Sequence, residues 1–331
     1  MSRNIRFGVV GTNNITDRFL AAAKLNPHFE FTAVYSRTEE RGREFANKYG
    51  VEHVFTDLLE FGSSDVIDAI YIASPNVCHA EQAILFIENG KHVICEKPLA
   101  SNLSEVTAMF EAAKKHNVLL MEAMKTTLLP NFQVIKDNLH KIGTIRHYFA
   151  SFCQYSSRYD AYKAGTVLNA FKPELSNGAL VDIGVYTLAP MVQLFGLPQH
   201  IKASAYLLES GVDGKGSISC NYKEFEATTI YSKISNSYLP SEIQGENGSI
   251  IINKMNEMND VKIIYRNGEV ETISLPQEKE DMVYEVNEFI SCLLNGCTES
   301  RINSKQFSYE LMSILDECRK QFGLIYPADQ K

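Results

Sequence analysis

The chain has 331 residues and a mass of 37.2 kDa, more than one ordinary hydrophobic core holds, so two domains are expected. Hydrophobic residues make up 45% and charged residues 22% of the chain, values that exclude a disordered or low-complexity protein. The net charge is −8 and the pI is near 5.6, so neither nucleic acid nor an anionic membrane is an expected partner.

The seven cysteines are an odd number without a Cys-x-x-Cys pair, which favours a reducing compartment over a disulfide framework. The N-terminus lacks the apolar segment and cleavage site of a signal peptide. The longest apolar stretch is interrupted by an acid and a proline, so no transmembrane helix is expected. A cytoplasmic protein is therefore predicted. No His or Cys cluster has the spacing of metal ligands, so no metal is expected.

Apolar strands alternate with helical patterns through the first part of the chain. Strands are predicted at residues 5–10, 31–35, 54–55, 69–73, 92–95 and 118–121. Helices are predicted at residues 15–25, 39–49, 80–88 and 103–116. Alternating elements of these lengths predict an α/β fold with a doubly wound parallel sheet.

The pattern changes after about Glu122. Helices are predicted at residues 131–139, 182–195, 281–294 and 306–322, with a long strand at 144–152. Between His200 and Leu275 seven strands alternate apolar and polar residues, so one face of their sheet is expected to be open. These patterns predict an α+β domain built on an open, mostly antiparallel sheet. Because an uncovered apolar face usually marks an interface, a homodimer through the C-terminal sheet is expected.

The first predicted strand runs directly into a turn that precedes a helix, which is the position of a dinucleotide-binding loop. Only one glycine of the G-x-G-x-x-G pattern is present, because Asn13 stands at the second position. Asn tolerates positive φ, but its side chain would crowd a phosphate unless it points away. The motif alone leaves a cofactor loop and a plain turn equally open. The candidate cofactor residues here are Gly11, Thr12, Asn13, Asn14 and Ile15.

The end of the second strand tests the choice of cofactor. A site for NAD usually places a carboxylate there, which accepts hydrogen bonds from the ribose hydroxyls. This chain instead has Ser36 and Arg37, followed by Arg41. A hydroxyl and a guanidinium suit a 2′-phosphate, so NADP is predicted, with NAD as the alternative.

Polar residues also follow the buried strand at 69–73. Because ligands bind at the carboxyl ends of parallel strands, this loop is a candidate for cofactor contacts. Its candidate residues are Ser74, Pro75, Asn76 and His79. Turn formation is the simpler explanation for Pro75 and Asn76.

Two further segments carry candidate catalytic groups. Glu96 and Lys97 follow the next strand, where desolvation would lower the pKa of a lysine and suit it to proton transfer. Asp182 and Tyr186 are four residues apart in an otherwise apolar helix, which suggests a pocket wall. A capping acid and a half-buried core tyrosine are the alternative for that pair.

Together these motifs resemble the Gfo/Idh/MocA oxidoreductase family. Residues 73–100, ASPNVCHAEQAILFIENGKHVICEKPLA, are similar to the family's most characteristic stretch. MEAMKTTLLPNF, GALVDIGVY and SILDECRKQFGLIYPAD are most similar to its dihydrodiol and aldose dehydrogenase branch. The resemblance implies a Rossmann NAD(P)-binding domain over residues 1–123. It also implies a substrate-binding and dimerisation domain over residues 124–331.

The resemblance implies roles for individual residues. Lys97 matches the catalytic lysine beside the nicotinamide, and Asp182 matches the substrate-side acid. Many members have His four residues after that acid. This chain has Tyr186 there, as the dihydrodiol dehydrogenase and glucose–fructose oxidoreductase types do. In two departures from the branch, Lys125 and Thr127 replace Trp and Arg at positions expected to face the substrate.

The resemblance implies hydride transfer between the nicotinamide and a hydroxyl or carbonyl carbon of a sugar or cyclic diol. Tyr186 is the predicted proton donor, assisted by Lys97, whose charge stabilises the oxyanion. Asp182 either orients Lys97 or accepts a substrate hydroxyl. Two alternatives stay open: a dinucleotide-binding sensor or regulator without catalysis, and an enzyme acting on a non-sugar ring such as an imine.

Overall fold

The protein was analysed as a computed structural model, which describes residues 4–330. The strands are β1 Ile5–Val10, β2 Phe29–Tyr35, β3 His53–Phe55, β4 Ala69–Ile72, β5 His92–Glu96, β6 Leu120–Ala123, β7 Ile145–Cys153, β8 His200–Leu207, β9 Asp213–Asn221, β10 Glu226–Ser232, β11 Ser241–Gly245, β12 Gly248–Asn253, β13 Asp260–Tyr265 and β14 Val270–Thr272. The helices are α1 Asn14–Ala23, α2 Glu39–Tyr49, α3 Leu58–Ser63, α4 His79–Glu88, α5 Leu103–His116, α6 Pro130–Asn138, α7 Ser157–Lys163, α8 Val185–Phe195, α9 Val283–Leu294 and α10 Lys305–Phe322.

The chain forms two compact units, and neither is one continuous segment. The first comprises the described residues up to Lys125 together with Glu278–Ser308. The second comprises Thr126–Gln277 together with the described residues from Tyr309 onward. This differs from the predicted division into residues 1–123 and 124–331, because the segment that contains α9 returns to the first unit.

The first unit contains a six-stranded parallel sheet in the order β3-β2-β1-β4-β5-β6. All four residues of β4 are buried, as expected for a strand covered on both faces by helices. This confirms the predicted doubly wound parallel sheet. The strand order reverses between β1 and β4, and in open α/β sheets ligands bind beyond the strand ends at such a point.

Helix α9 joins the first unit through its apolar face. Val286, Phe289 and Ile290 are buried in the same hydrophobic cluster as Phe7 and Phe19. The Phe7 and Phe289 ring centroids lie 5.8 Å apart. The sequence pattern predicted an amphipathic helix here, but such periodicity does not say which sheet the helix covers.

The second unit contains an eight-stranded sheet in the order β14-β13-β12-β11-β7-β10-β9-β8. Strands β7 and β10 pair in parallel and the other neighbours are antiparallel, which confirms the predicted mostly antiparallel sheet. Helix α8 covers one face, where the Tyr148 hydroxyl donates to the Thr187 carbonyl oxygen at 2.9 Å. Residues of the opposite face, including Phe149, Ile230 and Ile251, are partly exposed.

All seven cysteines are free thiols. Within residues 4–330, no helix combines the length and the apolar composition that crossing a membrane requires.

Candidate active site

The turn after β1 depends on Gly11. Gly11 has a φ of +106°, a conformation that side-chain-bearing residues rarely adopt. A Cβ at this position would lie 2.7 Å from the carbonyl oxygen of Ala73, the residue after β4. Glycine therefore allows the β1 turn to pack directly against the end of β4, at the point where the strand order reverses.

Asn13 is exposed, and its side chain is held by three hydrogen bonds to the backbone. Its Nδ2 donates to the Ala73 carbonyl oxygen at 2.8 Å, and its Oδ1 accepts from the amides of Ile15 at 3.0 Å and Thr16 at 3.2 Å. Asn13 is thus the N-cap of α1, a role for which Asn is among the best residues. The replacement of the usual central glycine therefore gives the first amides of α1 a side-chain acceptor, at the helix start where a dinucleotide pyrophosphate would bind.

Positive charge lies beside the same turn. The Arg41 guanidinium donates from Nε to Thr12 Oγ1 at 3.2 Å and from Nη2 to the Thr12 carbonyl oxygen at 2.9 Å. Ser36 is buried at the end of β2, and Arg37 after it is exposed. The structure therefore brings together the predicted cofactor residues that follow β1, β2 and β4.

His79, a predicted cofactor residue, is completely buried. Its Nδ1 lies 3.0 Å from the Pro98 carbonyl oxygen and its Nε2 lies 3.0 Å from the Ser74 carbonyl oxygen. Burial lowers the pKa of the imidazole, and the charge of Lys97 acts in the same direction. His79 ties the loop after β4 to the loop after β5 and so helps to position Lys97.

The other predicted cofactor residues of the loop after β4 differ in their exposure and contacts. The Ser74 hydroxyl donates to the Gln82 side chain at 2.6 Å, which fixes the loop on α4. Pro75 is exposed and Asn76 is partly exposed at the turn that leads into α4.

Glu96 is buried at the end of β5. Its Oε1 accepts from the Tyr71 hydroxyl at 2.5 Å. Burial raises the pKa of this carboxyl, opposed by the charge of Lys97, the Tyr71 hydroxyl and the Lys97 amide. The predicted cofactor residue Glu96 thus holds the backbone of Lys97, whose own side chain is partly exposed.

The first unit contains two further buried carboxyls that sequence reasoning missed. Glu122, in β6, accepts from the Leu99 amide at 3.1 Å and from the Ser308 hydroxyl at 2.8 Å. Burial raises its pKa to about 7. Glu285, in α9, has no exposed surface, and burial together with the charge of Glu96 raises its pKa well above the usual value.

Lys125, predicted to face the substrate, is buried. Its ammonium forms an ion pair with Asp281, and the two side chains are 11% and 18% exposed. Because a buried ammonium needs a counter-charge, this pair accounts for the lysine within the first unit. Thr127, the other departure from the branch pattern, is also buried.

The second unit holds Asp182 and Tyr186. Asp182 lies in a π-helical turn, Leu180–Gly184, that leads into α8, and such turns occur frequently at functional sites. The predicted regular helix is therefore wider here, which changes the angle between the two side chains. The Tyr186 ring contacts Phe152 edge to face, with centroids 5.7 Å apart.

Lys233 is the partner of Asp182. Its ammonium forms an ion pair with Asp182 Oδ2, and its side chain is only 4% exposed. The same ammonium lies over the Phe171 ring, 5.3 Å from the centroid. Lys233 follows directly after β10, so a lysine at a strand end was the signal that could have identified it.

Known proteins resemble the chain over nearly its full length. The model of an oxidoreductase family with an NAD-binding Rossmann fold matches residues 5–124, and that of the GFO/IDH/MocA C-terminal domain matches residues 135–251. Scyllo-inositol 2-dehydrogenase (NADP(+)) IolU of Bacillus subtilis is 55% identical, over 98% of this chain and 99% of that protein. Trans-1,2-dihydrobenzene-1,2-diol dehydrogenase of Xenopus laevis is 30% identical, over 97% and 99%. The structure of KijD10, a 3-ketoreductase from Actinomadura kijaniata in complex with TDP-benzene and NADP, aligns with a TM-score of 0.83 and 25% identity, over 97% and 98%.

Proposed function

The chain belongs to the Gfo/Idh/MocA oxidoreductase family and is an NAD(P)-dependent dehydrogenase acting on CH–OH groups; we propose that it prefers NADP and acts on a ring polyol. The observation that carries the cofactor choice is Arg41, which donates to Thr12 in the turn after β1, together with the exposed Arg37 that follows β2. The ring polyol is supported by the 55% identical relative, which is a scyllo-inositol dehydrogenase.

The preference for NADP follows from the groups at the end of β2. A 2′-phosphate carries negative charge and several acceptor oxygens, which a guanidinium matches. Ser36 supplies a hydroxyl, and the first carboxylate after it is Glu39. The test is a fluorescence titration with NADPH and NADH. We expect tighter binding of NADPH, and equal affinities would contradict the proposal.

Lys97, Tyr186 and Asp182 are proposed to act on the reacting alcohol or carbonyl. When bound, the nicotinamide supplies or accepts the hydride. In the reducing direction charge builds on the carbonyl oxygen, so a donor is needed there, and we assign this to the Tyr186 phenol. Lys97 supplies positive charge that stabilises the same oxygen. Asp182, held by Lys233, is proposed to accept a hydrogen bond from a substrate hydroxyl.

Lys97→Met tests the catalytic assignment. Loss of a proton-transfer group is expected to lower turnover by about 10² to 10⁴-fold, with NADPH still bound. Lys115→Met on the exposed surface of α5 is the matched control and should retain full activity. Near wild-type turnover of Lys97→Met would remove Lys97 from the mechanism. NADPH binding without turnover of the wild-type enzyme on inositols, pyranoses and cyclic diols would favour a sensor.

We also propose a homodimer through the open face of the eight-stranded sheet. Partly exposed Phe149, Ile230 and Ile251 on this face support the proposal. Light scattering of the wild type and of Ile251→Glu is the test. We expect a dimer that the variant converts to monomer, whereas a monomeric wild type would contradict it. The seven free thiols support a cytoplasmic location, which cell fractionation would test.

A further inference from the structure

The turn that carries Asp182 rests on a buried carboxylate in the neighbouring sheet. Asp213, the first residue of β9, has no exposed surface, and its Oδ2 accepts from the Leu180 amide at 2.7 Å. Gly178 makes room for this carboxylate, because a Cβ there would lie 2.1 Å from Asp213 Oδ1. Asp213 and Gly178 thus allow a close, hydrogen-bonded contact between β9 and the start of the π-helical turn.

The surroundings of Asp213 are mostly uncharged. Burial raises the pKa of its carboxyl to about 6, opposed by the hydrogen bond from the Leu180 amide. Tyr231 comes from β10, and burial raises the pKa of its hydroxyl, so this neighbour is neutral at ordinary pH.

Two further elements face the same carboxylate. Burial raises the pKa of Cys318 in α10 and of Tyr326 after α10, and the negative charge of Asp213 raises both further. The cation nearest to Tyr326 is Arg319, whose guanidinium lies 4.2 Å from the ring centroid. Arg319 is already paired with Asp316 and Asp329, so its charge is offset by theirs.

The start of β9 also holds the partner of Asp182. The Lys233 amide donates to the Gly214 carbonyl oxygen at 2.9 Å, directly after Asp213 in the chain. The Lys233 side chain forms the ion pair with Asp182. Residues 213 and 214 therefore fix both members of that ion pair, one through the π-helical turn and the other through the backbone of Lys233.

We propose that Asp213 is a positioning residue that anchors the turn Leu180–Gly184 and thereby orients Asp182 and Tyr186 toward the substrate. This inference rests on the proposed function of those two residues. Ionised Asp213 is the stronger acceptor for the Leu180 amide, because a charge-assisted hydrogen bond is stronger than a neutral one. Protonation weakens the anchor, so activity falls as the pH drops through about 6.

Asp213→Asn and Asp213→Ala separate the anchor from its charge. The asparagine keeps an acceptor oxygen but does not ionise, so we expect kcat/KM to lose its fall below pH 6 and to drop by about tenfold at pH 8. Alanine removes the acceptor and is expected to lower kcat/KM by about a hundredfold at every pH. The Kd of NADPH should stay within about twofold in both variants, since the predicted cofactor residues belong to the first unit.

The matched control is Asp260→Asn, which changes the exposed first residue of β13 and should leave the pH profile unchanged. An Asp213→Asn enzyme that retains the acid fall of the wild type would overturn the proposal. If Asp213→Ala does not fold, the pH profile of Asp213→Asn decides the question by itself.

Hydrogen exchange measured without substrate distinguishes failure of the anchor from failure of the proposed function. We expect the backbone amides of residues 178–186 to exchange at least about tenfold faster in Asp213→Ala than in the wild type. In the wild type we expect the same amides to be less protected at pH 5 than at pH 8, after correction for the intrinsic exchange rate at each pH. Unchanged exchange would refute the anchor. If exchange changes but Asp182→Asn and Tyr186→Phe turn over normally, the anchor stands and the catalytic assignment fails.

Discussion

Glu122→Gln is expected to stabilise the protein more at high pH than at low pH. Glu122 is 2% exposed, and burial raises its pKa from 4.5 to about 7. A carboxyl with a raised folded pKa binds its proton more tightly in the folded state, so stability falls as the pH rises above 4.5. Above about pH 7 the loss of stability no longer grows, because the Glu122 carboxyl is then ionised in both the folded and the unfolded state.

The size of the effect follows from the difference between the pKa of Glu122 in the folded state and its usual value of 4.5. One pH unit corresponds to about 1.4 kcal/mol, so the interval from 4.5 to about 7 corresponds to about 3 kcal/mol at pH 8. At pH 5 only a small part of this cost is present. Glutamine keeps the shape of the side chain and an acceptor for the Leu99 amide, and its amide group can donate to the Ser308 hydroxyl oxygen.

Urea unfolding at pH 5 and pH 8 measures the difference. We expect the free energy of unfolding of Glu122→Gln, relative to wild type, to rise by about 2 to 3 kcal/mol between the two pH values. Comparing the two pH values cancels any constant cost of the amide. Glu111→Gln on the exposed face of α5 is the control and should show no such change. The same relative stability of Glu122→Gln at both pH values would refute the argument.

Three other variants test the remaining geometry. Gly11→Ala should weaken NADPH binding at least tenfold by fluorescence titration, since the new Cβ meets the Ala73 carbonyl oxygen at 2.7 Å; unchanged affinity would contradict this. Asn13→Ala removes the cap of α1 and should cost about 1 kcal/mol, visible as a Tm lower by a few degrees. Lys233→Met removes the ammonium that pairs with the Asp182 carboxylate and should lower kcat/KM by about tenfold or more with the Kd of NADPH unchanged; equal loss of both would indicate general misfolding.

The parallel sheet was predictable from the sequence because its strands are buried on both faces. The run AIYIA around β4 is continuous and apolar, and the helices between the strands end at recognisable caps such as Asn89-Gly90. Helix α7, in the polar stretch 154–177, was missed because its Tyr-rich sequence lacks an apolar stripe. The return of α9 was also missed, because the contact that decides it joins Phe289 to Phe7, far apart in the chain.

The direction of a side chain needs its tertiary partner. The sequence predicted the turn at Gly11 and stated the condition that Asn13 must point away from a phosphate. The group that fixes the Asn13 side chain is the Ala73 carbonyl oxygen, which follows another strand 60 residues along the chain. The same holds for His79, whose place in the loop after β4 was read from the sequence but whose ring nitrogens lie 3.0 Å from the Pro98 and Ser74 carbonyl oxygens.

Several buried ionisable residues near the proposed catalytic groups were not identified from the sequence. Within the described residues neither carboxyl oxygen of Glu285 has a hydrogen-bond partner, and such a group typically costs about 1 to 3 kcal/mol. A leucine would avoid that cost, so stability alone does not account for the acid. The charge of Glu96, the residue that accepts from the Lys97 amide, helps to raise the pKa of Glu285, so the two carboxyls interact. In the second unit Asp213 holds the turn that carries Asp182 and Lys233 pairs with Asp182, so in each unit a buried ionisable group is bonded to the backbone or side chain of a proposed catalytic group and can fix its orientation without contacting substrate.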